Sequence, residues 1–205
     1  MNDYQTEQRQ TLTLIRRHVS EMGEPVRERL RDSLKDYLGF RADTAAFLEK
    51  HFGHLCTQNC YENRRSACCS KDGIITFFAD AVINVLLSSD AELDALAEVL
   101  EKPHTGFKCV YLSEKGCLWH LKPIVCEMFL CDPAKAEIFG NNPDVRKEWE
   151  VLEKRRKGFT WPDQPVLFDD LEQIFLDAGY TSPLMYLHNS PGLVRIRRRA
   201  SENAK

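Results

Sequence analysis

A chain of 205 residues, 43% hydrophobic and 29% charged, is long enough to bury a core as one domain and too apolar to be disordered. Its 28 basic and 31 acidic side chains leave a formal charge of −3, which favours neither a polyanionic nor a polycationic partner. The polar start, Met1 to Glu7, lacks the basic and apolar segments of a secretory signal, so a reducing cytoplasm is the expected compartment.

In chain order, Leu12, Ile15, Val19 and Met22 recur at helical spacing and predict an amphipathic helix over 6–22, ending at Gly23. Pro25 opens a second helix with Val26, Leu30, Leu34 and Tyr37 on one stripe, and Gly39 is expected to stop it. A third, about 43–55, delivers the chain to Cys56. Residues 56–72 are polar and without period, which predicts a loop that needs tying down. Ile74–Leu87 is the longest apolar stretch, and it is interrupted by Asp80 and Asn84. It falls short of the ~20 residues that cross a bilayer, so it reads as a buried helix or strand–helix unit, with no membrane partner.

Ser89-Asp90-Ala91-Glu92 is a capping box for a helix through about Glu101, which Pro103 terminates. Cys109 to Leu112 suggests a short strand, followed by a turn at Glu114-Lys115-Gly116. Lys122-Pro123 opens a short helix bearing Cys126 and Phe129. Asp132-Pro133 and Asn142-Pro143 are start signals for helices over 133–139 and about 143–157. Gly158 to Pro165 reads as a loop, and Asp169 to Glu172 start a last helix that buries Leu171, Ile174 and Phe175 and ends at Gly179. The arginines at 195, 197, 198 and 199 read as a solvated basic end and not as a nucleic-acid-binding arm. The expected architecture is a mainly α, helical single domain over 1–205, with N-terminal helices (1–50), a loop-rich cysteine centre (52–135) and C-terminal helices (140–205), and little β structure.

The chemistry lies in eight cysteines arranged as two quartets. They are Cys56-x3-Cys60-x7-Cys68-Cys69 and Cys109-x7-Cys117-x8-Cys126-x4-Cys131. Disulfides suit short chains from oxidising compartments; reduced thiols at this density suit a soft metal. A zinc ion takes four ligands at about 2.3 Å from sulfur, and an iron–sulfur cluster also takes four thiolates. Eight cysteines therefore allow two four-thiolate sites, or one site with redox-active thiols beside it. The side chains of adjacent Cys68 and Cys69 diverge, which fits a polynuclear cluster or two neighbouring sites better than one small ion. Cys131 precedes a helix start, where the dipole lowers a thiol pKa. Arg64, Arg65, Lys71, Lys108, Lys115 and Lys122 offer compensating charge, and Tyr61, Tyr111, Trp119 and Phe129 a dry surround. His54, His104 and His120 read as surface or structural residues, since cysteines alone fill the coordination shell.

The run Cys109-Val-Tyr-Leu-x3-Gly116-Cys117-Leu-Trp-x2-Lys-Pro123-x2-Cys126-x2-Phe129-x-Cys131, preceded by a cluster ending in Cys68-Cys69, resembles the YkgJ-type cysteine-cluster family. The resemblance covers roughly residues 52–135 and implies zinc or iron chelation. The flagellin lysine methylases have a similar cysteine pattern, with which an iron–sulfur cluster is associated. No glycine-rich nucleotide loop accompanies it here, nor any nucleophile elbow or paired-carboxylate signature. Two functions follow as expectations. One is a metal-binding protein holding an iron–sulfur cluster, with a redox or catalytic role. The alternative is a non-enzymatic zinc module whose helices bind a partner protein; metal storage or delivery is a third, weaker reading.

Overall fold

The computed structural model describes residues 3–62, 68–70, 75–140, 142–160 and 166–185. Nine α-helices occur among them: α1 (Asp3–Glu21), α2 (Glu24–Ser33), α3 (Lys35–Gly53), α4 (Phe78–Leu87), α5 (Asp90–Glu101), α6 (Ile124–Glu127), α7 (Asp132–Gly140), α8 (Pro143–Thr160) and α9 (Leu167–Asp177). The only sheet among these residues is a hairpin of β1 (Leu112–Ser113) and β2 (Gly116–Cys117). The architecture is mainly α, as the periodicity predicts, and no described helix is long and apolar enough to cross a membrane.

α4 is the pivot. Eight of its residues, Phe78 to Asn84 and Leu86, are buried, and α1, α2 and α9 pack around it. Such an all-round apolar helix has no solvent face to offer, and its two polar residues must find partners inside the protein. α1 lays Leu12, Ile15 and Val19 on α4 and α5. α3 presents Tyr37, Phe40 and Phe47 to α8, where Phe40 stacks on Phe159 at 5.4 Å and Phe47 on Trp149 at 5.5 Å. The resulting core runs from Leu12 to Met185.

Several boundaries differ from the sequence reading. The break after Pro25 falls at Leu34, between α2 and α3, and Gly39 lies inside α3. Its Cα faces open space, with nothing within 4 Å of a built Cβ, so no turn geometry demands glycine there. Gly158 likewise lies within α8, which runs on to Thr160. Cys56 and Cys60 are not on a loop: α3 passes without a stop into a π-helical segment, His54–Tyr61, with a wide-turn bond from Glu62 N–H to the Thr57 carbonyl at 2.9 Å. Insertions of this type recur at functional sites. The hairpin pairs Leu112 with Cys117 and Ser113 with Gly116, placing the strand three residues later than expected. Gly116 sits at φ +109°, a left-handed conformation that a side chain strains. Phe129 lies beyond α6 and not within it. The basic tail, with Arg195, Arg197, Arg198 and Arg199, lies outside the described residues, as do Arg64, Arg65 and Lys71.

Candidate metal centre

The cysteine-bearing segment 121–127 is bolted to the helical core by a buried polar clamp. Asn84 donates Nδ2 to the Leu121 carbonyl and accepts the Leu121 N–H on Oδ1, both at 2.9 Å. One turn earlier on α4, Asp80 accepts the Ile124 N–H on Oδ1 at 3.1 Å, and its Oδ2 caps α4 through the Phe77 N–H at 3.0 Å. From α3, Arg41 donates to Glu127, to the Lys122 carbonyl and to Tyr37 Oη. Arg41, Asp80 and Asn84 are at most 3% exposed. Buried charges in a helical core are tolerated only when bonded in this way. Spacing of i and i+4 within an apolar run is the sequence sign that Asp80 and Asn84 share one inward face; Arg41 and Glu127 leave no such sign.

On the other side, the vicinal pair is stitched to the strand entering Cys109. Ser70 and Lys108 form an antiparallel bridge, and the Cys109 N–H donates to the Cys69 carbonyl at 2.9 Å. The two quartets are therefore not two separate groups in space. The charge of Cys69 is sensed by, and senses, Cys68, and it also lies in the fields of Cys109, Cys117 and Cys126. Cys126 in turn lies in the fields of Cys117 and Cys68. Five cysteines, from three stretches of chain, thus feel one another's charge from half-buried positions or from the rim.

Their acidities follow from that placement. Cys68 shares its proton with Cys69, which raises Cys68 and lowers Cys69. Burial pushes Cys109 up to about 11, against peptide N–H groups of Tyr111 and Leu112 that favour its thiolate. Burial also raises Cys117, against the Trp119 N–H and the Lys122 ammonium. Cys126 is raised by burial, and its Sγ sits 3.9 Å from the Ile75 carbonyl. Peptide N–H groups two and three residues downstream, aimed at a sulfur, favour a thiolate at that position. Mutual repulsion and burial oppose it, and a bound cation reverses the sign of both effects.

Cys131 is half-buried at the N-terminus of α7, where its carbonyl accepts the Lys135 N–H at 3.0 Å. The helix begins at Asp132, so Cys131 occupies the cap position expected for Asp132. Cys56 is exposed on the π-helical segment; the side chain of Cys60 lies outside the described residues. None of the seven cysteines whose side chains are described is in a disulfide. Among the described residues no three His, Cys, Asp or Glu side chains already stand close enough to hold an ion. Tyr111 and Trp119 are buried and meet edge-on at 5.2 Å, and Tyr61 Oη donates to the Ser113 carbonyl at 3.2 Å. Phe129, expected in the same shell, is instead 53% exposed. His120 pairs with Glu92 at 2.9 Å, and His104 meets the Lys108 carbonyl at 2.7 Å.

Fold and site together define a helical protein whose cysteine-bearing segments are tied to its core through Asn84 and Arg41. No protein-family model, curated protein or solved structure matches the chain significantly. The likeness to the YkgJ-type pattern therefore rests on the residues quoted above alone.

Proposed function

We propose that this chain is a metal-binding protein whose centre is held by sulfurs of both cysteine quartets, with an iron–sulfur cluster favoured over zinc. The observation that carries the reading is the tie between the two quartets, the Cys109 N–H on the Cys69 carbonyl at 2.9 Å beside the Ser70–Lys108 bridge, with Cys117 and Cys126 within reach of the charge on Cys69. The donor set fits the group, because soft, half-buried sulfurs with N–H groups aimed at them suit thiolate ligation of a soft metal. The five thiols that share one another's charge outnumber the four that a single zinc ion takes, which favours a polynuclear centre or two neighbouring sites. Cys56, Cys60 and Cys131 complete the proposed ligand pool from its edge. A bound cluster would supply one-electron transfer. The residues of the chain hold the sulfurs, exclude water through Tyr111 and Trp119, and offset negative charge with Lys122. The alternative is a zinc module that ties the hairpin to the helical core and serves binding to a partner protein.

Metal and acid-labile sulfide analysis, with a visible spectrum of protein purified without oxygen, tests the proposal. Iron with sulfide and a broad band near ~400 nm supports the cluster. Stoichiometric zinc without colour selects the alternative, and protein free of both metals overturns both readings.

A further inference from the structure

α2 and α9 both pack on α4, and between them runs an open groove of about 350 Å³. Val26 and Leu30 line it from α2, and Leu167, Leu171 and Ile174 line it from α9. Val26 is exposed, while Leu167 and Ile174 are half-buried. A contiguous apolar strip on a surface, edged by charge, marks a place for a second surface to cover. The charged side chains lining the groove are Arg29 on α2 and Asp170 on α9, both exposed. Other charges of α2 are paired within the chain: Glu24 with Arg27 and Arg31, and Asp32 with Lys35. Neither Arg29 nor Asp170 has an ion-pair partner among the described residues.

We infer that this groove is the interface of a homodimer, covered by the same groove of a second copy of this chain. The face is complementary to itself in charge. A two-fold axis along the groove sets α2 of one copy over α9 of the other. Arg29 of each copy then meets Asp170 of the other, and the two apolar strips lie together. An isologous contact makes every pairing twice, so one cation and one anion on opposite sides of the groove close two ion pairs. Burial of the apolar strips supplies the attraction, and the ion pairs fix the register. A partner surface of a single charge sign would leave Arg29 or Asp170 facing a like charge.

Sedimentation equilibrium of the full chain, in reductant so that thiol cross-links do not contribute, reads the monomer–dimer constant. We expect a reversible dimer. Arg29→Glu and Asp170→Arg each set like charges against one another twice, and each should weaken dimerisation at least about ten-fold. Combining the two restores opposite charges across the axis and should bring the constant back to within about three-fold of the parent. Val26→Asp places a charge in the apolar strip and should weaken dimerisation with no change at either ion pair. These positions are exposed, so circular dichroism should show the same helix content in every variant. A parent chain that stays monomeric at every concentration overturns the inference. So does a dimer that the single variants form as tightly as the parent, or a double variant that fails to recover. Dimerisation at this face needs no metal, and its absence would leave the proposed centre untouched.

Discussion

Asn84 holds the peptide unit of Leu121 from both sides, donating to its carbonyl and accepting from its N–H at 2.9 Å each. The same Nδ2 also bonds the Asp80 carbonyl at 2.8 Å within α4. A side-chain amide thereby replaces a strand partner for a segment that has none. Asn84→Leu keeps the volume and removes both contacts, leaving the Leu121 donor and acceptor unpaired. A loss of about 2–3 kcal/mol is expected, read as a lower urea midpoint at unchanged slope. Asp80→Asn acts on the same segment through Ile124, so the double variant should lose less than the sum of the two single losses. Strict additivity would show that the two contacts hold the segment independently.

Asp80 makes stability depend on pH in an unusual direction. Burial lifts its carboxyl from 3.8 to about 7, against the Phe77 and Ile124 N–H groups and the nearby Arg41 guanidinium, with Glu127 adding to the rise. The folded state therefore binds a proton that the unfolded chain has released between pH 4 and 7. The stability from this group is fully present below pH ~4 and is lost as pH rises to ~7, by up to about 1.4 kcal/mol per pH unit. His18, lowered from 6.5 by burial, acts with the opposite sign in part of this window. The parent-minus-Asp80→Asn difference in unfolding free energy isolates Asp80, and it should decline from pH 4 to pH 7. A flat difference would contradict this account.

Two glycines should respond in opposite ways. Gly39→Ala fills open space on an exposed turn of α3 and should stabilise the protein by about 0.5–1 kcal/mol. Gly116→Ala forces a side chain to φ +109° and should cost about 1–2 kcal/mol. Thermal unfolding of the two variants side by side checks both.

The thiols should differ in reactivity once metal is removed. Cys69, lowered by the hydrogen bond from Cys68, should alkylate with iodoacetamide at pH 7.5 before Cys109, Cys117 and Cys126, all of which burial raises. Peptide mass spectrometry gives the order. Cys68→Ala removes the donor and should slow Cys69. Because most of these thiols start protonated, metal uptake should release protons and strengthen steeply with pH.

How far the sequence anticipates this structure depends on how far apart the partners lie. The Ser89–Glu92 capping box is local, and it forms as read: Ser89 Oγ accepts the Glu92 N–H, and Glu92 reaches back to the Ser89 N–H at 2.8 Å. Glycine as a stop signal failed at Gly39 and Gly158 because their φ angles are ordinary and burial on neighbouring turns carries the helix through. The π-helical turn under Cys56 left no mark in the periodicity, since polar residues fill it. The clamp joins positions 41, 80, 84 and 121–127. Its long-range partners have no local pattern, so only the packing of the helices brings them together. Of the candidate site, the residue types were legible; the mixing of the two quartets was not.

Almost everything α1 needs lies far along the chain. Its apolar stripe waits for α4 and α5, Gln5 waits for the carbonyls of Val99, Leu100 and Lys102, and Thr11 Oγ1 meets Ser182 Oγ at 2.6 Å. Contacts of such sequence separation carry a loop-closure cost and form slowly. During synthesis α1 therefore waits for α4 and α5 to find its main partners, and for Ser182 to complete them.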